Sequence, residues 1–408
     1  MSALRGSRAL LCALRGSRCR VLLWLSPSTG PGPRLQARSL STVVGARRGG
    51  LYEPLSRGEP LDFGGEEEMA EKMLSCRYFR RFIVNPLLAR TVTDCLERGG
   101  LVNDGALVFE CNPGPGVLTR TLLDVGARVV ALESDKAFLP GLQSLSKSLN
   151  GQLEVVHCDF FKLDPLGYGP MKPPAMYSAK LFEKLGISEV PWTADVPVKV
   201  VGIFSQKNER NMLWKLIYSL YEQISIYRYG RIELNMFISE KEYKKLIAKP
   251  GDMRNYKALS VLGQIACDIQ LLHMEPWSSF LTSGCGRLSI PRSVYVPNDH
   301  LCLVRITPRR NLFTAHLSKL NSATFVLMVK VCLAKRKAKL IDRLNSWSTD
   351  SGQSLLQQLE IPEDILTGNL YPEEYKCVFE AMEHSIEFNQ SWFFNEVLES
   401  TRSTCSLN

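Results

Sequence analysis

The run Glu110-Cys111-Asn112-Pro113-Gly114-Pro115-Gly116-Val117-Leu118-Thr119 carries an apolar strand, Ala106 to Phe109, through a carboxylate and a glycine turn into the start of a helix. Gly114 and Gly116 lack a Cβ, so the turn can take positive φ and bring backbone N–H groups against a ligand's polar atoms beside a helix N-terminus. A second strand, Ala127 to Leu132, ends in Glu133, and a third, Leu153 to His157, is followed by Asp159. Glu133 stands about twenty residues past the turn, the spacing at which a doubly wound sheet binds ribose hydroxyls. Three successive strands therefore deliver carboxylates to one sheet edge. A lone Gly-x-Gly reads equally well as a surface turn, so the weight lies on the combination.

An acid directly before the glycines repels a pyrophosphate, and the three-glycine fingerprint of dinucleotide sites is missing. S-adenosylmethionine carries an ammonium and a sulfonium. Acids at the turn, at the ribose and near the adenine amino group match that charge, so it is the expected cofactor. Cys111 beside the turn has no base placed by spacing to activate it and reads as a small packing residue. The twelve cysteines and five histidines are scattered without a Cys-x-x-Cys pair, which indicates neither a metal site nor a disulfide framework.

The elements that must hold these residues alternate. Apolar residues at helical spacing between Met69 and Glu97 precede the sheet, a helix is expected near Ala137 to Leu149, and a Pro- and Gly-rich loop spans Asp164 to Pro197. Further strands are predicted at Lys199 to Phe204 and Ile232 to Ile238, with helices at Arg210 to Gln223 and Lys241 to Ala248, then a helix and strand through Ser260 to Met274. This order predicts an α/β fold with a mainly parallel sheet covered on both faces. Past Pro276, a loop with Gly284, Gly286, Pro291 and Pro297 leads to the apolar stretch Leu301 to Ile306. A single helix from Thr324 to Leu344, bearing Lys335, Arg336 and Lys337, then opens a second, helical domain. The expected divisions are 1–50, 70–295, 300–350 and 351–408.

Charge is segregated along the 408 residues. Nine of the 50 basic residues lie in residues 1–50 with no acid, so the rest carries 41 basic against 41 acidic residues. That Arg- and Ser-bearing start, with the apolar run Val21 to Leu25, reads as a mitochondrial presequence; a basic nucleic-acid arm is the competing reading. No stretch reaches the roughly eighteen apolar residues of a membrane span. From Ser351 onward ten acids face only Lys376 and Arg402, leaving the preceding body at +8. This acidic tail carries Phe379, Phe388, Trp392, Phe393 and Phe394, and would fold back over the body, bind a partner or form a solvated helix.

With these stretches aligned, the chain resembles the rRNA adenine N6-dimethyltransferase family over roughly residues 78 to 345. Phe82-Ile83-Val84-Asn85 matches its leading cofactor segment. Lys249-Pro250-Gly251 and Leu259-Ser260-Val261 match its Lys-Pro-Gly and Leu-Ser-Val elements, Pro276 with Phe280 its Pro-x-x-x-Phe, and Lys335-Arg336-Lys337 its C-terminal basic run. The resemblance implies a Rossmann-like class I methyltransferase fold with a smaller C-terminal helical domain. It assigns the cofactor to Ile83, Gly114, Gly116, Glu133 and Asp159. Two departures stand out. Asn112 replaces the family's first glycine, and Asn tolerates left-handed backbone angles. Where the family presents Asn-Leu-Pro-Tyr or Phe to the target adenine, the strand here ends Gly202-Ile203-Phe204, and Ile203 offers no acceptor to the target amine.

Within the family the combination is similar to a mitochondrial branch. That likeness implies an initiation factor for the single-subunit mitochondrial RNA polymerase, acting on promoter DNA in the matrix nucleoid alongside the HMG-box mitochondrial transcription factor A. The alternative is an active dimethyltransferase of the mitochondrial small-subunit rRNA. In the first reading Lys335, Arg336 and Lys337 neutralise phosphates, while Phe280 and Phe204 stack unpaired bases. A solvated basic face and ordinary core aromatics are the plainer accounts.

Overall fold

The computed structural model describes residues 71–76, 80–100, 107–165, 171–205, 208–283 and 300–389. The expected presequence, Ala106, the residues Gly284, Gly286, Pro291 and Pro297, and Trp392, Phe393 and Phe394 lie outside them.

Nine strands are present among the described residues. The short β1 (Arg81–Phe82) pairs antiparallel with β8 (Leu281–Thr282) in a separate ribbon. The main sheet contains β2 (Leu107–Cys111), β3 (Val129–Glu133), β4 (Leu153–His157), β5 (Val198–Ile203), β6 (Glu233–Ser239), β7 (Cys267–Pro276) and β9 (His300–Pro308), in the order β4-β3-β2-β5-β6-β9-β7. The first five in that order run parallel, whereas β9 is antiparallel to both β6 and β7. Every residue of β2, β3 and β6 is buried, as expected of strands covered on both faces. The chain passes from β2 to β3 on one side and returns to β5 on the other. The crevice of this doubly wound sheet therefore opens at the C-terminal end of β2.

Helices α1 (Pro86–Glu97), α2 (Val117–Asp124), α3 (Leu139–Lys147), α4 (Ser178–Lys184), α5 (Glu209–Tyr221), α6 (Glu240–Leu246) and α7 (Ala258–Ala266) accompany the strands. Asn85 caps α1 by accepting from the Leu87 N–H at 2.8 Å, and Pro86 fills the first helical position, where no N–H is needed. The loop expected from Asp164 to Pro197 contains α4, whose Leu181 and Phe182 are fully buried; Phe182 stacks on Tyr229 with centroids 4.0 Å apart.

Two expectations are corrected beyond residue 300. The sheet does not end before it, because β9 lies between β6 and β7. The predicted helix Thr324 to Leu344 is two helices, α8 (Ser322–Ala334) and α9 (Leu340–Trp347), separated by the basic turn. Lys335 leaves the helical region at φ −126°, ψ 77°. Its carbonyl accepts from the Thr367 hydroxyl at 2.9 Å, and the Arg336 and Ala338 carbonyls accept from the Gly368 and Thr367 N–H groups. Tertiary hydrogen bonds thus override helix propensity in this run.

The acidic tail is also built into the fold as far as it is described. Helices α10 (Ser351–Gln358) and α11 (Pro372–His384) follow α9, and Tyr375, Val378, Phe379 and Met382 form the buried face of α11. Phe379 meets Phe325 of α8 with centroids 5.1 Å apart, and Phe388 is 1% exposed. The Tyr375 hydroxyl donates to the Thr367 carbonyl at 2.6 Å inside this packing. Tyr375→Phe removes that donor and leaves a carbonyl without it, so we expect a loss of about 1–3 kcal/mol in urea denaturation. An unchanged midpoint would mean that water replaces the hydroxyl.

Candidate cofactor and nucleic-acid site

The C-terminal ends of β2, β3 and β4 meet at one edge. Parallel registers set Cys111 opposite Leu132 and Glu133 opposite His157. Past β2 the chain turns through Asn112, Gly114 and Gly116 at φ 53°, 60° and 75°. Asn112 takes the left-handed angle that its family position requires. Its N–H donates to the Leu132 carbonyl at 2.8 Å, and its side-chain oxygen accepts from the Ser134 N–H at 3.2 Å, which fastens the turn to β3. A Cβ on Gly114 would sit 2.5 Å from the Phe82 ring, so glycine is required there by both angle and space.

The three acids differ in state. Glu110 is 2% exposed and its Oε2 has no hydrogen-bond partner. Burial pushes its carboxyl up to about 8; the Glu133 charge acts in the same direction and Thr119 opposes it. Glu133 is fully buried and ion-paired with Arg80 at 2.8 Å. Asp159 caps the following turn by accepting from the Phe161 N–H at 3.1 Å and lies 3.4 Å from the Lys162 ammonium. Cys111 is 5% exposed, and burial, followed by the charge of Asp159, pushes its thiol well up, so it remains a neutral packing group.

A cleft of about 750 Å³ opens at this edge. Asn112, Asp135, His157 and Asp159 are among its polar lining residues, and Phe161, Ile203, Phe204 and Met212 among its apolar ones. Of the three strand-end acids only Asp159 lines the cleft; its carboxylate, that of Asp135 and the volume fit a nucleoside with a cationic substituent. Asp159, which meets one N–H and one ammonium, retains acceptor capacity. Gly202 packs where a Cβ would lie 2.7 Å from the Cys111 Cβ, and the neighbouring Ile203 lines the cleft without a hydrogen-bonding side chain.

Gly114, Gly116 and Glu133 form the turn and strand end at this edge but are not among the groups that line the cleft, and several other expected site residues lie elsewhere. Ile83 does not line the cleft; it is 7% exposed and packs with Leu88, Val92 and Leu118. Phe280 is 4% exposed and meets Phe237 edge-on at 5.0 Å, so its ring is a core group rather than a stacking platform. Phe204 borders the cleft but is 3% exposed, with Phe161 at 5.3 Å. Lys335 and Lys337 are exposed and Arg336 half-buried, all outside the cleft. Arg80 was missed by spacing. The Arg80-Arg81 doublet ahead of Phe82-Ile83 was the available signal, because charge in an apolar lead needs a partner.

Another basic grouping lies beside the cleft. Asn208, at the cleft wall, is the residue before α5, and Arg210 is exposed in its first turn. Lys257 precedes α7. Burial, followed by the like charges of Lys245, Arg210 and Arg336, pushes its ammonium below the ordinary value. Arg210, Lys245, Lys257 and Arg336 therefore share one electrostatic neighbourhood with Glu242, which is ion-paired with Lys245. The Gly251 N–H donates to the Gly368 carbonyl at 2.9 Å, which fixes the Lys249-Pro250-Gly251 turn against the segment that holds Arg336.

A parallel sheet closed by an antiparallel pair, with a glycine turn after β2 and acids ending β3 and following β4, defines a class I methyltransferase scaffold. The chain belongs to the ribosomal RNA adenine dimethylase family, whose pattern matches residues 74–383. It is 47% identical over 325 residues to Dimethyladenosine transferase 2, mitochondrial, of Homo sapiens, covering 79% of this chain and 82% of that protein. The protein of the same name from Bos taurus is 44% identical over 357 residues, covering 87% and 89%. A solved dimethyladenosine transferase from Plasmodium falciparum is similar at 15% identity and a TM-score of 0.48, covering 73% of this chain and 95% of that one. S-adenosylmethionine, the cofactor expected from the acids, is the cofactor of this family.

Proposed function

We propose that this chain is a mitochondrial transcription initiation factor that works with the single-subunit mitochondrial RNA polymerase. In this role it melts promoter DNA and holds the open complex on a dimethylase scaffold with residual methyl transfer. The carrying observation is Ile203 at the end of β5, where the target amine would need an acceptor. A buried donor left without its partner loses on the order of 1–3 kcal/mol of alignment, which falls on the chemical step. Holding an unpaired strand makes no such demand, and the exposed Arg210, Lys335 and Lys337 offer charge to phosphates. The mitochondrial names of the relatives and the basic, acid-free start favour the matrix nucleoid, where the HMG-box mitochondrial transcription factor A would be a further partner.

The retained turn and Asp159 favour a second reading, dimethylation of the mitochondrial small-subunit rRNA. The Asp159→Asn variant separates the two. We expect promoter-dependent transcription to persist while methyl transfer on a small-subunit rRNA fragment falls from its low level. Parallel loss of both in a folded variant would reject the factor reading.

Double reversal of Lys335 and Arg336 to Glu should weaken promoter-DNA association. It should also lower the slope of log affinity against log salt by about 0.7 for every single-strand phosphate that is no longer neutralised. An unchanged slope in a fluorescence-anisotropy titration would remove these residues from the interface.

A further inference from the structure

We infer that the Arg80 guanidinium occupies the ribose position of the cleft, so that a nucleoside ligand engages Glu133 only after Arg80 has left it. This deepens the reading of the cleft as a nucleoside pocket and rests on it. A carboxylate offers about four acceptor sites. At Glu133, Oε1 accepts from Arg80 Nη1 at 2.8 Å and from the Asp135 N–H at 2.7 Å; Oε2 accepts from Arg80 Nη2 at 3.0 Å and from the Gly114 N–H at 2.8 Å. The two backbone donors belong to the pocket's own turns. Arg80 supplies the other two, the pair that a vicinal ribose diol would supply.

The guanidinium is held from several directions. Its Nη2 also donates to the Asn112 carbonyl at 2.9 Å, so one group bridges the glycine turn and the ribose acid. It lies over the Phe82 ring at 4.5 Å and the Phe138 ring at 5.4 Å. Its backbone is attached to the β1–β8 ribbon rather than to the main sheet: the Arg80 N–H donates to the Ser283 hydroxyl, and the Ser283 N–H to the Arg80 carbonyl, both at 2.9 Å. The latch is therefore carried on a two-stranded element whose pairing is separate from that of β2, β3 and β4. Arg80 also lines the cleft, with 13% of its side chain exposed, so ligand and guanidinium meet at one opening.

The fork competes in two ways. It fills acceptor sites, which any nucleoside would feel, and it places a positive charge in the pocket, which a sulfonium would feel more than a thioether. Calorimetric titration of the full chain with S-adenosylhomocysteine and with S-adenosylmethionine reads both. In Arg80→Gln, which is neutral and close in length, we expect S-adenosylhomocysteine to bind at least about tenfold tighter than in wild type, with a larger gain for S-adenosylmethionine. Arg80→Lys keeps the charge but loses the fork. It should show a smaller gain for S-adenosylhomocysteine and little for S-adenosylmethionine, and it serves as the test if the Gln variant melts below the assay temperature. Equal binding by wild type and variants would overturn the latch and leave the pocket standing. No binding of either ligand to wild type or variants would overturn the pocket reading and the latch with it.

Discussion

Glu110→Gln stabilises the fold increasingly as pH rises from 5 to 8, by a change on the order of 3 kcal/mol relative to wild type. The wild-type carboxyl is buried at the penultimate position of β2, and burial pushes it up from 4.5 to about 8. Between those values the unfolded chain releases the proton while the folded chain keeps it. The folded state then binds more protons, so rising pH favours unfolding. The stabilising contribution is complete below about 4.5 and is lost as pH climbs through about 8. Gln cannot ionise, so the variant lacks this slope. An amide opposite the unpartnered Oε2 position carries a constant cost, and for that reason the slope of the difference, not its absolute value, is the readout. Urea denaturation of both proteins at pH 5, 6, 7 and 8 measures it. A pH-independent difference would mean that Glu110 ionises in the fold, contrary to its burial.

Phe82→Ala is expected to cost about 3–5 kcal/mol, the range for deleting a buried aromatic ring. Phe82 is 2% exposed, pairs with Leu281 across the β1–β8 ribbon, and contacts Phe138 with centroids 5.5 Å apart. The ring fills the space below Gly114 and supports the Arg80 guanidinium. Loss of stability should therefore be accompanied by faster hydrogen exchange at the Gly114 N–H, whose acceptor is Glu133. Phe82→Leu retains most of the volume and should recover much of the stability without the cation–π contact. If Phe82→Ala lowers stability but leaves exchange at Gly114 unchanged, the ring supports the core and not the turn.

The strand-end acids were legible because each comes at or just past the end of an apolar run: Glu110 ahead of the glycine turn, Glu133 ahead of Ser134-Asp135, and Asp159 after His157-Cys158. The expected strand Leu153 to His157 coincides with β4, while β3 begins two residues later than expected and includes Glu133. Ile203 was found because the final residue of a buried strand is conspicuous when a family places an amide there. What stayed hidden depends on distant partners. Arg80 pairs across 53 residues, and nothing in its neighbourhood names Glu133. Phe280 resembles a surface aromatic in sequence, yet Phe237 from β6 covers it. The basic run 335–339 has helical composition throughout, and its break comes from hydrogen bonds to 365–368. Chain order also suggested that the apolar stretch after a long loop leads into a new helical domain, whereas it forms β9 and enters a sheet already begun.

That late strand sets an order of events during synthesis. β7 pairs in the main sheet with β9 and with no other described strand, so a chain emerging from its N-terminus presents a ten-residue strand with open hydrogen-bonding edges until residue 308 has followed. β6 meanwhile offers its free side to any passing strand. Completion of the fold therefore waits on the arrival of distant residues, a slow step by the loop closure it demands. A chaperone that shields β6 and β7 during that interval would raise the yield of folded protein without touching the finished molecule.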